Sequence, residues 1–195
     1  MNTKNLFLIA TILLLACSPA ISQEGYNVKN FKMSVSGTST LHDWESEATK
    51  ASATADIGLA GAQLAEINSL NVTVAAKGIV SSKGRIMDNK TYDALKADKY
   101  PNITFRLDKA TVNGSKVQAT GQLAIAGKTQ TVSLSATSKT DGAGNITFSG
   151  SKALKMTDYG MEPPTALMGT IKTGDEVTIK YELTLTPSGA DAGTR

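Results

Sequence analysis

From residue 31 onward, apolar and polar side chains alternate along most of the chain. Phe31, Met33 and Val35 alternate with Lys32, Ser34 and Ser36, the period of two that marks a half-buried strand, and this first run stops at Gly37. Residues 45–57 are polar and rich in Ala, Ser and Thr and read as a second, edge-like strand. Leu70, Val72 and Val74 mark a third over 67–80. Ile103, Phe105 and Leu107 against Thr104, Arg106 and Asp108 give a fourth over 102–112. It ends at Asn113-Gly114, the pair that favours a type I′ hairpin because both central residues need positive φ. A fifth carries Val117, Ala119, Gly121, Leu123 and Ile125 on one face, and Gly127-Lys128 returns the chain into 131–139. Asp141-Gly142-Ala143-Gly144 turns it again into 146–156. The last strand sets Val177, Ile179, Tyr181, Leu183 and Leu185 against Thr178, Lys180, Glu182 and Thr184.

One segment breaks this period. In 87–105, MDNKTYDALKADKYPNITF, Asp88 or Asn89 can cap a short helix with Tyr92 and Leu95 on one face, and Pro101 forbids its continuation. Eight consecutive antiparallel strands suit a barrel or two packed sheets, and periodicity alone does not separate the two. Small residues counted as inward, Ala75, Ala119, Gly121, Ala124 and Ala136, tip the balance toward a barrel with room for one slender ligand.

A short helix running through Lys99-Tyr100-Pro101 into a strand resembles the YceI-like family of secreted lipid-binding proteins. So do GQLAIAGKTQTVSLSA at 121–136, DYGMEPP at 158–164 and GDEVTIKYELTL at 174–185. The resemblance spans about residues 26–185. It implies an all-β fold, an eight-stranded antiparallel lipocalin-like barrel with one short α-helix, built around a ligand tunnel. The family often carries a His-Ser pair on its first strand and a second His soon after. This chain has His42 alone, inside STLHDWES.

Length and the first residues set the domain plan. Residues 1–22 show Lys4, an apolar run from Leu6 to Ala16, then Pro19, Ala20 and Ser22 before Gln23, the pattern of a cleavable secretory signal. The apolar run is shorter than the roughly 20 residues that span a bilayer. Leu14-Leu15-Ala16-Cys17 also approximates a lipobox, so lipoprotein processing with membrane-surface association through Cys17 is the alternative to a periplasmic or secreted soluble form. Residues 23–187 then form one barrel domain and 188–195 a disordered tail. Beyond Cys17 there is no cysteine, hence no disulfide or thiol nucleophile.

Charge and composition exclude several function classes. The formal net charge is +3; leaving out Lys4, the leader's one charged side chain, 19 basic residues stand against 17 acidic ones. Lysines are scattered and aromatics make up 5%, so a nucleic-acid binder's basic stripe and stacking platform are both missing. No glycine-rich phosphate loop opens a helix. Asp88, Asp93 and Asp98 recur every five residues, and on a helix each is rotated by about 140° from the last, which keeps them from sharing one ion. No cofactor or metal is expected.

Catalysis has little material. His42 and Asp43 are adjacent and on a strand would point to opposite faces, and one histidine leaves a nucleophile-and-base pair without partners. The expectation is a protein that is not an enzyme. Its ligand, by the family resemblance, is a long-chain amphiphile: an isoprenoid quinone, a polyprenyl lipid or a fatty-acid derivative, carried in the periplasm. The alternative is a structural or partner-binding cell-envelope domain with a packed interior. The candidate ligand contacts are Phe31, Val35, Val72, Phe105, Ala119, Leu123, Leu134, Phe148, Ile179, Tyr181 and Leu183, with Trp44, Tyr159 and Met161 at the mouth. His42 is the candidate polar head-group contact. The connection over 158–173, long where other turns are tight, reads as a lid or as a passive cover over the open end of the sheet, with Tyr159, Met161, Leu167 and Met168 as its adaptable apolar side chains.

Overall fold

A computed structural model describes residues 21–189. Residues 1–20 of the expected leader, Cys17 among them, and most of the expected tail lie outside them, while Ile21 and Ser22 already belong to the first strand. In chain order the elements are β1 (Ile21–Ser39), β2 (Trp44–Ala48), β3 (Ala51–Ala60), β4 (Gln63–Ala75), β5 (Ile79–Ser81), α1 (Arg85–Ala94), β6 (Asn102–Asn113), β7 (Lys116–Ile125), β8 (Lys128–Thr140), β9 (Ile146–Lys155), β10 (Thr165–Ala166) and β11 (Ile171–Pro187). Eight of them close a barrel in the order β1-β3-β4-β6-β7-β8-β9-β11, and β11 returns to pair with β1, Phe31 opposite Leu183. Closure removes the exposed edges that an open sheet would present.

The stretch expected to be one edge strand at 45–57 is instead two strands inside the wall. Both answer β1 in a single register, Gly37 opposite Trp44 and Ser34 opposite Glu47 in β2, Asn27 opposite Thr54 and Ile21 opposite Ala60 in β3. Between them the strand leaves β1. Thr49 N–H and Oγ1 donate to the Gly78 carbonyl, at 2.8 and 2.9 Å, and the Lys50 carbonyl accepts Ala75 N–H. The third strand likewise ends at Ala75, followed by a 3₁₀ turn at Ala76–Gly78 and short β5.

The helix starts at Arg85, with Gly84 at φ 85° as its cap, earlier than expected from Asp88 or Asn89. Asp88 Oδ1 instead accepts Ser81 N–H at 2.7 Å and ties the first turn to β5. Termination also precedes Pro101. Lys96 takes φ 51°, its N–H donates to the Asp93 carbonyl and Ala97 N–H to the Tyr92 carbonyl, the two bonds of a Schellman stop. Tyr92 Oη donates to the Lys77 carbonyl and Leu95 is buried.

Two hairpins depart from their expected turns. At 113–116, Asn113 pairs with Lys116, so the central residues are Gly114 and Ser115, and Gly114 alone has positive φ. A glycine-first turn needs positive φ only at its first central residue. At the next hairpin Ala126 and Gly127 are central, with φ 51° and 81°, and a side chain at Gly127 would overlap the Tyr100 ring. Tyr100 of the Lys-Tyr-Pro join thus packs flat on the β7–β8 turn. Just after β11, Ser188 N–H donates to the Gly25 carbonyl at 2.7 Å.

The barrel's two ends differ. At the end away from α1, Tyr26, Ile57, Ile146 and Leu185 are all but sealed from solvent and pack solidly. At the other end lie α1, the 156–173 connection and the 39–43 loop.

Candidate functional site

The barrel interior between these ends is hollow, in two chambers. The outer one, about 140 Å³, lies under α1 and the 156–173 connection. The inner one, about 160 Å³, extends toward the packed end. Met33, Val74, Ile103 and Ile179 line both and mark the waist between them. An apolar cavity near 150 Å³ stays dry and accepts an apolar guest. From Val177 to Leu183 the wall runs six residues, about 20 Å along the strand at ~3.4 Å each.

Alternation puts the expected side chains in this wall. Phe31, Val72, Phe105, Ala119, Leu123 and Leu134 line the inner chamber, with Phe148, Tyr181 and Leu183. Val35, Trp44 and Met161 line the outer one, and Ile179 faces both. Tyr159 lines neither: it is buried at 2% exposure in the turn below the mouth, and that burial, then the Asp158 charge, raises its pKa. His42 also lies outside both chambers, exposed in the 39–43 loop with Nδ1 2.8 Å from the Asp43 carbonyl. Strand parity places Ala75 and Ala124 on the outer face, because Val74, Leu123 and Ile125 take the inner positions. At Gly121 the space is filled by the Phe105 ring.

The lid expectation divides in two. Met161 and Pro164 face the outer chamber, whereas Leu167 and Met168 stand out in solvent in the four-residue turn 167–170. The segment is also more ordered than a plain loop. A 3₁₀ turn at Met156–Tyr159 starts it and β10 pairs back on β11, Thr165 opposite Lys172.

Asp175 pins that turn. Its Oδ2 accepts the Thr157 hydroxyl at 2.6 Å and its Oδ1 the Thr157 N–H at 2.9 Å; these bonds, the hydroxyl's first, hold its pKa below the ordinary carboxylate value. A depressed folded pKa means the tie contributes fully above the unfolded value of about 3.9 and is lost as pH falls through the lower folded one. Acidification below about pH 4 should therefore loosen 156–161. In an amide-exchange titration this loosening should vanish in Asp175→Asn; an identical acid response in the variant would assign it elsewhere.

Three charged residues border the chambers without having been among the expected contacts: Lys90, Lys152 and Glu182, the last on the outward parity between Tyr181 and Leu183. Lys90 follows from the helix's inward stripe, Met87, Lys90, Thr91 and Ala94, spaced as i, i+3, i+4 and i+7. Lys152 shares the inward parity of Phe148 and Leu154 and pairs with Ile179. It sits where the wall parts, since the β8–β9 ladder ends at Ala136 and Gly150. Beside it the Tyr181 ring covers Gly150 and its hydroxyl donates to the Ser135 carbonyl at 3.3 Å; burial raises the Tyr181 pKa.

This hollow barrel is matched in sequence as well as shape, for the YceI-like domain profile covers residues 18–185. The chain belongs to the YceI-like family. Among solved structures, BcnA of Burkholderia cenocepacia is 25% identical at a TM-score of 0.66, covering 79% of this chain and 95% of that one. The YCEI protein of Campylobacter jejuni is 26% identical at 0.58, covering 71% and 82%. A polyisoprenoid binding domain from Saccharophagus degradans, implicated in plant cell wall breakdown, is 11% identical at 0.66, covering 83% and 98%, and shares the YceI-like fold. No curated protein matches the chain.

Proposed function

We propose that this YceI-like protein binds one long-chain amphiphile, a polyisoprenoid or fatty-acyl lipid, with its chain threaded through both chambers, and carries it in the periplasm without covalent chemistry. The observation that carries this reading is the two-chamber apolar hollow, packed shut at one end and reached beneath the helix at the other. A packed structural domain would leave no such space. The ligand class draws support from the polyisoprenoid-binding domain of the same fold, and export from the leader pattern of residues 1–22. Lys90 and Lys152, cations in mainly apolar walls, suit an amphiphile better than a bare hydrocarbon.

Affinity would come from burial. At ~0.3 kcal/mol per heavy atom, about 20 chain carbons give ~6 kcal/mol, a Kd of tens of micromolar. The test is organic extraction of freshly purified protein with mass spectrometry of the extract, followed by titration of delipidated protein with fluorescent chains of 10 and 20 carbons. The expected result is a co-purifying lipid and tighter binding of the longer chain. An extract without lipid together with no uptake of either chain would overturn the reading.

A further inference from the structure

Large apolar side chains exposed to solvent are few among the described residues, and four of five crowd one end. Leu41 is 65% exposed, Ile86 77%, Leu167 72% and Met168 fully, whereas Ile21 is elsewhere. They project from three separate segments that meet around the outer chamber: the 39–43 loop, the start of α1 and the turn after β10. These segments are braced together. Thr40 N–H donates to the Lys172 carbonyl at 3.0 Å, Lys172 N–H to Thr40 Oγ1 at 3.1 Å, and Lys90 Nζ to the Thr165 carbonyl at 2.6 Å. Close behind them Trp44 after the loop, Met87 and Lys90 of α1 and Pro164 ahead of β10 line the chamber itself. The apolar tips are thus the outward continuation of the tunnel.

The turn after β10 is built against local preference. Leu167 and Met168 occupy left-handed backbone at φ 48° and 54°, ahead of Gly169 at 88°. Side chains with a Cβ disfavour this region, and Asn-Gly would sit there without strain. Strained backbone of this kind persists where surroundings enforce it, and it clusters at working sites. Here it holds two apolar side chains outward.

We propose that this rim docks on a phospholipid bilayer, with Leu167 and Met168 inserting at the boundary of headgroups and acyl chains and Leu41 and Ile86 flanking them. The tips are Leu, Ile and Met side chains scattered over three segments, none of them the Trp, Tyr or Arg that anchors a protein interface. A fluid bilayer accepts scattered tips and takes interfacial groups about 5–10 Å deep. The rim's charges nearly balance, Lys83, Arg85, Lys90 and Lys172 against Asp43, Asp88 and Glu162, so attachment is apolar and salt has little effect on it. Docking would set the tunnel mouth against the source of the chain. That last step rests on the binding role proposed above; the docking itself does not.

The experiment is flotation of delipidated protein with vesicles of phosphatidylcholine containing one fifth phosphatidylglycerol, at 0.1 and 0.5 M NaCl. Wild type should float at both salts. The double variant Leu167→Asn, Met168→Gly relaxes the turn, so it should melt no lower than wild type, partition at least tenfold less, and bind a soluble ten-carbon fluorescent chain unchanged. Equal flotation of the two proteins, or none by wild type, overturns the proposal. So does loss of soluble-chain binding in the variant, which would make the turn part of the tunnel. A wild-type dimer in sedimentation that the variant dissolves would assign the rim to a second copy instead. Flotation by a protein that takes up no chain would leave docking standing and remove the carrier role.

Discussion

Ala119→Trp should leave the barrel folded and shut the inner chamber to long chains. Ala119 sits on the inner face between Ala110 of β6 and Leu134 of β8, and an indole there occupies much of the ~160 Å³ space. Overpacking of this kind typically costs about 1–3 kcal/mol of stability. A 20-carbon chain denied the inner chamber loses roughly half its contacts, about 10 atoms at ~0.3 kcal/mol each, or a Kd roughly 100-fold weaker. A ten-carbon chain, which fits the outer chamber, should bind as before. Parallel titrations of the two chains check this, and an unchanged affinity for the long chain would show that it does not reach past the waist.

The largest effect on stability should come from the packed end. Leu185 has no exposed surface, pairs with Ile146 across β9 and lies opposite Val28 of β1. Leu185→Ala should cost about 2–5 kcal/mol through lost burial and the cavity left behind, and at 2–4 °C per kcal/mol it should lower Tm by about 4–20 °C. Leu123→Ala is the control. That side chain already borders empty space, so less contact is lost and its cost belongs at the low end of the range. Urea denaturation of both variants decides the matter: equal losses would mean that the inner chamber is as tightly packed as the closed end.

Where alternation is strict, the chain announces its own structure. The strands around Phe105 and Leu123 can be placed to within a residue or two, the last strand's start lies at Ile171, six residues before the alternation at Val177, and the inward sets of all three line the hollow. Legibility fails where a tertiary contact outvotes local pattern. Residues 45–57 look like an edge because Ala, Ser and Thr dominate, yet β1 and β4 enclose β3 and the strand breaks where Thr49 turns to Gly78. Pro101 looks like the helix stop, but Lys96 adopts the left-handed state first. The same holds for the site. Lys152 was readable from parity with Phe148 and Leu154, but an alternating pattern weighted by hydrophobicity passes over a lysine. His42 drew attention as a rare residue, and its position in an exposed loop had no signature of its own.

The wall's closing seam also sets an order of events. Phe31 meets Leu183 across nearly the whole length of the domain, and joining such distant segments costs loop-closure entropy before any contact offsets it. The hollow therefore exists only once the last strand has emerged and docked. Until then β1 and β9 present open edges able to pair with other chains. The ring must therefore close before the hollow can hold any guest, which makes an empty, completed barrel the first state of the folded chain.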